Sequence, residues 1–261
     1  MFDVNPFAEL STSISPLLMK SFVVIMVAMV AGGTLFDIIH KGSAKYFFKL
    51  VKTSGEKGTR NVSAGEKISV IVKTTAHDVL ASGEFCSTKR QIAHLLTMYG
   101  FIGYVITTGI MVFCYSSSDI ATPGILPNLW WIGGLMVCIG GYWFWFFIRV
   151  DVTAEGNSPF RLVRADLFVV SLMVSVTLGL IWAYLQASDS IWATLTLALY
   201  LFSTTVFFGS VPWSKFSHMF FKPAAAYQKN LAIANGGRRN LPPPADSPKI
   251  YGKAKRHTHN Y

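Results

Sequence analysis

Five apolar stretches divide the chain, over residues 17–39, 92–115, 126–148, 167–186 and 191–211. Each is about as long as the 20 residues that a helix needs to cross a hydrocarbon core. Lipid offers a backbone no hydrogen-bond partner, so stretches this long and apolar must close their own amides as helices. The pattern predicts an all-α membrane protein, a bundle of five transmembrane helices. Polar positions dominate residues 40–90, too few for a substantial core, where 67–72 alternates like a short strand and 74–81 suits a helical turn or two. Beyond Pro212 the apolar character fades through Trp213 to Phe221, as in a helix that runs on or restarts along an interface. Gly236, Gly237 and Pro242 to Pro244 then punctuate a basic stretch without apolar period. The expected organisation is a membrane domain over 1–231 and a disordered basic tail over 232–261.

Charge gives the bundle a direction. Of 23 Lys and Arg residues, ten lie from Lys41 to Arg90, three more are Arg149, Arg161 and Arg164, and nine follow the fifth stretch. The connections near Asp119 and Asp189 carry none, and Lys20 is left to snorkel from the first span. The positive-inside rule therefore puts the basic segments and the C-terminus in the cytoplasm and the N-terminus outside. A formal net charge of +10 on a soluble chain would suggest nucleic acid; beside a membrane, topology, anionic lipid and an acidic cytoplasmic protein explain it instead. The first stretch follows Asp3 and Glu9, not a basic leader, and is expected to remain in the mature protein.

Composition excludes several chemistries. With 52% hydrophobic residues and a mean hydropathy of +0.43, little polar sequence remains for a separate catalytic domain. Cys86, Cys114 and Cys138 lack paired spacing and suit packing, not a zinc or iron–sulfur site. Trp130, Trp131, Trp182, Tyr184 and Trp192 fall at one expected boundary and Tyr142, Trp143, Trp145 and Trp213 at the other, as interfacial belts. Gly133 with Gly140, and Gly134 with Gly141, are two helical turns apart, and Gly100, Gly103 and Gly109 thin the second span. Each pair suits close helix packing or room for a flat macrocycle.

All six histidines, His40, His77, His94, His218, His257 and His259, fall towards the cytoplasmic side. His94 lies about one turn inside its span, where an imidazole is costly unless paired or ligating. His218 approaches from beyond the fifth span, so the two could clamp one haem from opposite faces, with Arg90, Lys215, Arg149 and Arg164 available for its propionates. Water, lipid phosphate or backbone could equally hold both imidazoles. His40, beside Asp37, is an alternative ligand or part of a polar cluster for quinone. Asp37, Arg149, Asp151, Arg161, Arg164 and Asp166 suit an ion-pair network at the inner leaflet, or proton delivery to quinone.

The run from Lys89 to Phe101, with Phe216 to Pro223, resembles the five-helix respiratory b-type cytochromes, which include the nitrate reductase gamma subunit. The resemblance covers roughly residues 78–223, and within the family the chain looks most like the membrane anchor associated with adenylylsulfate reductase. It implies quinone-linked electron transfer in sulfur metabolism at the inner membrane, with a cytoplasmic iron–sulfur flavoprotein as partner and His94 and His218 as ligands of one haem b on the cytoplasmic side. The outer half holds no histidine for a second haem, so electrons and quinone are expected near the cytoplasmic face. A cofactor-free anchor and a small transporter subunit are the alternatives, the latter lacking ionisable residues at mid-depth and an inverted repeat.

Overall fold

The computed structural model describes residues 2–41, 45, 47–49, 51–52, 58–83, 85, 87–163, 166–213 and 218–236, and for Lys41, Asp151 and His218 to Phe220 the backbone alone. These residues form helices α1 (Pro6–Leu10), α2 (Pro16–Lys41), α3 (Ala64–Lys73), α4 (Thr88–Cys114), α5 (Ile125–Trp143), α6 (Val150–Thr153), α7 (Leu167–Ala187), α8 (Ala193–Gly209) and α9 (His218–Ala234). π-helical segments extend α3 over Thr74–Leu80 and α5 over Phe144–Ile148, and the described residues contain no strand.

Among the described residues four helices are long and apolar enough to cross a membrane: Pro16–His40, Thr88–Cys114, Ile125–Ile148 and Leu167–Ala187. α8 is shorter than its apolar stretch, because Ser190 to Trp192 form a turn, with the Ala193 amide on the Ser190 carbonyl, and the helix gives way to a turn at Ser210. Its 17 residues span about 26 Å at 1.5 Å each.

Residues 67–72, expected as a strand, lie within α3. The Ser63 hydroxyl accepts from the Glu66 amide and the Glu66 carboxylate accepts from the Ser63 amide, a reciprocal cap that nucleates the helix. Alternation over six residues was the weaker signal because Ile68, Ile71 and Val72 also match helical spacing.

Chain contacts define two units, residues 1–41 with 81–219 and residues 42–80 with 220–261. Most of α9, expected in part to belong to the membrane domain, thus groups with the polar segment. Within this second unit, the Thr59 amide donates to the Asn235 carbonyl at 2.9 Å and Arg60 Nε to Ala234 O at 2.7 Å. Of the tail expected over 232–261, residues 232–234 instead close α9 and Asn235 and Gly236 form a turn, while residues 237–261 lie outside the described residues.

In the first unit α4 and α5 make the most intimate pair, followed by α7 and α8. Glycine sets the first approach. A Cβ at Gly100 would stand 2.7 Å from Gly133 O, one at Gly133 would stand 2.8 Å from Gly100 O, and one at Gly140 would stand 2.7 Å from Ala93 O. The adjacent face of α5 receives α7, with Leu180 over Gly134 and Met173 over Gly141. The two glycine pairs thus serve two neighbours, as small residues do where dispersion and not water exclusion holds helices together. Hydroxyl bonds join the same elements: Tyr104 to Tyr200 at 3.0 Å and Ser175 to Thr204 at 2.7 Å.

One end of the bundle is closed by α1. Phe7 packs on Trp130 and Trp182, Asn5 Nδ2 donates to Tyr115 O at 2.8 Å, and Gln186 Nε2 donates to Pro6 O at 2.7 Å. Trp130 and Trp182 are consequently 0% and 1% exposed, and Trp131 is also buried, so these three are core residues and not belt residues. The Trp130 indole spends its N–H on Thr108 Oγ1 at 2.9 Å. Tyr184, Trp192 and Trp213 remain exposed, as a belt requires, whereas Trp145 is buried.

Candidate functional site

The α4 start carries the expected site. His94 is half-buried, its Nδ1 3.0 Å from Ser82 Oγ and its ring 5.0 Å from that of Phe85. Ser82 is buried and has φ +52°, a conformation in which the chain turns sharply enough to bring its hydroxyl back on the helix. Gln91 Nε2 donates to Ala81 O at 2.8 Å and ties the same turn to the next face of α4. Sequence reasoning singled out His94 and missed Ser82, although the Ser82-Gly83 pair is a turn signal.

The other expected residues take separate places. Arg90 is half-buried one turn before His94, while His40 stacks on Phe36 of α2, centroids 5.2 Å apart and planes 9° apart. His218 begins α9, with its side chain outside the described residues, as are Arg164, Lys215, Cys86, His257 and His259. Among the described residues no three His, Cys, Asp or Glu side chains converge as a metal site. A hydroxyl on Nδ1 is what orients a ligating imidazole, and Nε2 of His94 would be the ligating atom. A porphyrin also needs a flat slot, and neighbouring helices fill the space at Gly100, Gly133, Gly134, Gly140 and Gly141, while Gly103 and Gly109 face open space. The described side chains therefore supply one oriented imidazole, and no cradle at the paired glycines of α5.

Among the described side chains, the anticipated ion-pair network includes a buried pair. Arg149, 4% exposed, donates from Nη1 to Asp166 Oδ2 at 2.8 Å and from Nη2 to the carbonyls of Arg161 and Pro159, and lies 3.9 Å over the Trp145 ring. Asp166 also accepts from the Val163 amide. This is a structural clasp: three bonds from the two terminal nitrogens of the guanidinium fix the α5–α7 connection. Arg161 instead meets Glu155 at 3.6 Å, both exposed, and Asp37 is buried on α2.

In the second unit Asn230 donates to Thr74 Oγ1 at 2.9 Å and to Asp78 Oδ2 at 2.6 Å, while His77 Nδ1 lies 2.8 Å from Asp78 Oδ1. Burial pushes the Asp78 carboxyl up, but the bonds from His77 and Asn230 and the charges of His77 and Lys229 outweigh it and hold it below its ordinary value. Comparison with protein-family models, with curated proteins and with solved structures gave no match.

Proposed function

We propose that this chain is a multi-pass inner-membrane subunit that anchors a cytoplasmic iron–sulfur flavoprotein, of the adenylylsulfate reductase type implied by the sequence resemblance, beside the quinone pool. In this reading α8 is the fifth span, the N-terminus faces outwards and the C-terminus lies in the cytoplasm. The observation that carries it is the one-sided basic charge: 22 of 23 Lys and Arg residues lie in segments that five crossings leave on one face. Such a face draws in an acidic partner, with rates that fall as salt rises.

Recruitment without a resident cofactor is the form that the packing favours, since glycine brings α4 and α5 into backbone contact where a macrocycle would have needed room. A second reading has support from His94, whose imidazole Ser82 orients. There His94 and His218 hold one haem b on the cytoplasmic side, Arg90 meets a propionate and His40 is the alternative ligand. The haem would supply a one-electron relay between flavoprotein and quinone, and the chain's own part would be to orient the His94 imidazole through Ser82 and to bring the partner close through the basic face.

A reduced-minus-oxidised spectrum of the purified chain separates the two. The anchor predicts no b-type band; such a band, lost on replacing His94, establishes the second reading instead. Co-purification of a redox flavoprotein that weakens with salt supports either form, and capture indifferent to salt counts against the charged docking face.

A further inference from the structure

α3 is folded with its apolar edge outwards. Ile68, Ile71 and Val72, spaced to share one face, are 62%, 48% and 62% exposed, and the helix contains no buried residue. The opposite edge, Glu66, Val70 and Thr74, is the one turned inwards, ending at Thr74 beneath Asn230. An edge that carries Glu66 and Thr74 packed, with a wholly aliphatic edge exposed, is the reverse of a surface helix on a water-soluble domain.

Connectivity identifies what covers this edge. Residues 42–87 join α2 to α4, two helices that are long and apolar enough to cross a membrane, so both ends of the segment emerge from the same membrane face. The segment carries seven basic residues against four acidic ones, Glu56, Glu66, Asp78 and Glu84, and Lys41, Lys89 and Arg90 flank it. Glu66 is already engaged by Arg60 at 2.9 Å and by the Ser63 amide. Lys67, adjoining the apolar edge, is exposed. An amphipathic helix with an aliphatic face, flanking lysine and a tether to the bilayer at both ends meets the requirements for lying in the headgroup boundary.

We propose that α3 is an interfacial helix that seats Ile68, Ile71 and Val72 among the acyl chains of an anionic leaflet, with Lys67 at the phosphates. The inference needs only that α2 and α4 cross the membrane, and it stands whether or not a flavoprotein is the partner. The bonds of Arg60 to Ala234 and of Asn230 to Thr74 and Asp78 then make α3 the plate on which α9 is held at the membrane surface.

The test uses the full chain in lipid nanodiscs, with Cys86, Cys114 and Cys138 replaced by Ser and a nitroxide attached singly at Ile71→Cys, Val72→Cys, Ser69→Cys or Lys73→Cys. In discs containing phosphatidylglycerol, the labels at 71 and 72 should gain access to oxygen and lose access to a water-soluble nickel chelate, at a depth of about 5–10 Å. Labels at 69 and 73 should stay open to the chelate. In purely zwitterionic discs, or with Lys67→Glu, immersion should become shallower. Equal chelate access at all four sites overturns the proposal, and so does loss of both relaxants at 71 and 72, the signature of a covering protein. Exposed positions carry the labels, and helicity measured on each labelled chain guards against misfolding.

Discussion

Gly100 and Gly103 lie on one helix and have opposite expectations. A methyl at Gly100 would press on Gly133 O and the Val137 amide, whereas one at Gly103 meets nothing within 4 Å. Gly100→Ala should cost about 1–3 kcal/mol, the range for overpacking, and Gly103→Ala should be neutral or slightly stabilising, since alanine is the better helix former. Thermal unfolding in detergent reads both. Arg149 and Asp166 make a sharper case: Asp166→Asn leaves a buried guanidinium without its counter-charge, at about 3–5 kcal/mol, whereas Arg161→Ala removes an exposed, long ion pair worth less than about 1 kcal/mol. Glycine spacing was legible in the sequence, but not which neighbour each pair serves, because two helical faces differ by one residue. His94 was legible as a costly imidazole near a span's end; its partner Ser82 was not, because it depends on a left-handed turn twelve residues earlier.

At the level of elements, long apolar runs were read correctly as helices, as was the helical turn over 74–81, and the short alternating run 67–72 was not. Four spans stand within a few residues of their expected limits, while α8 lost its first two residues to a turn that local polarity at Ser188 to Ser190 dictates. The strand expected at 67–72 failed because two periods fit six residues and the cap at Ser63 decides between them. Ser63→Ala should accordingly cost α3 about 1 kcal/mol, read as faster hydrogen exchange over residues 64–67. The same cap depends on pH. Arg60 first, then the Ser63 amide, holds the Glu66 carboxyl below its ordinary value of 4.5. A depressed folded value means that the contribution is complete above 4.5 and is lost as the pH falls through the lower folded value. Exchange over the first turn should therefore be slowest above pH 5, allowing for the intrinsic rate, and rise on acidification; Glu66→Gln should abolish this dependence.

For the molecule as a whole, the parity of crossings decides the topology. If α8 crosses, the two termini lie on opposite faces; if it does not, they share one. Single cysteines at Asp3→Cys and Lys253→Cys, labelled in sealed vesicles by an impermeant maleimide, should react from opposite sides, and labelling from the same side refutes five spans. The basic loops give the orientation that this labelling tests, whereas the closing of one end by α1 was not legible in the sequence, since five residues carry no period to read. The α5–α7 connection holds a further consequence. Gly156, at φ +67°, is surrounded by open space between two hairpins that each pack through their own contacts. Severing the gene there and producing both pieces together should return a working whole, each piece entering the bilayer ready-made and the arginine clasp serving as the buckle between them.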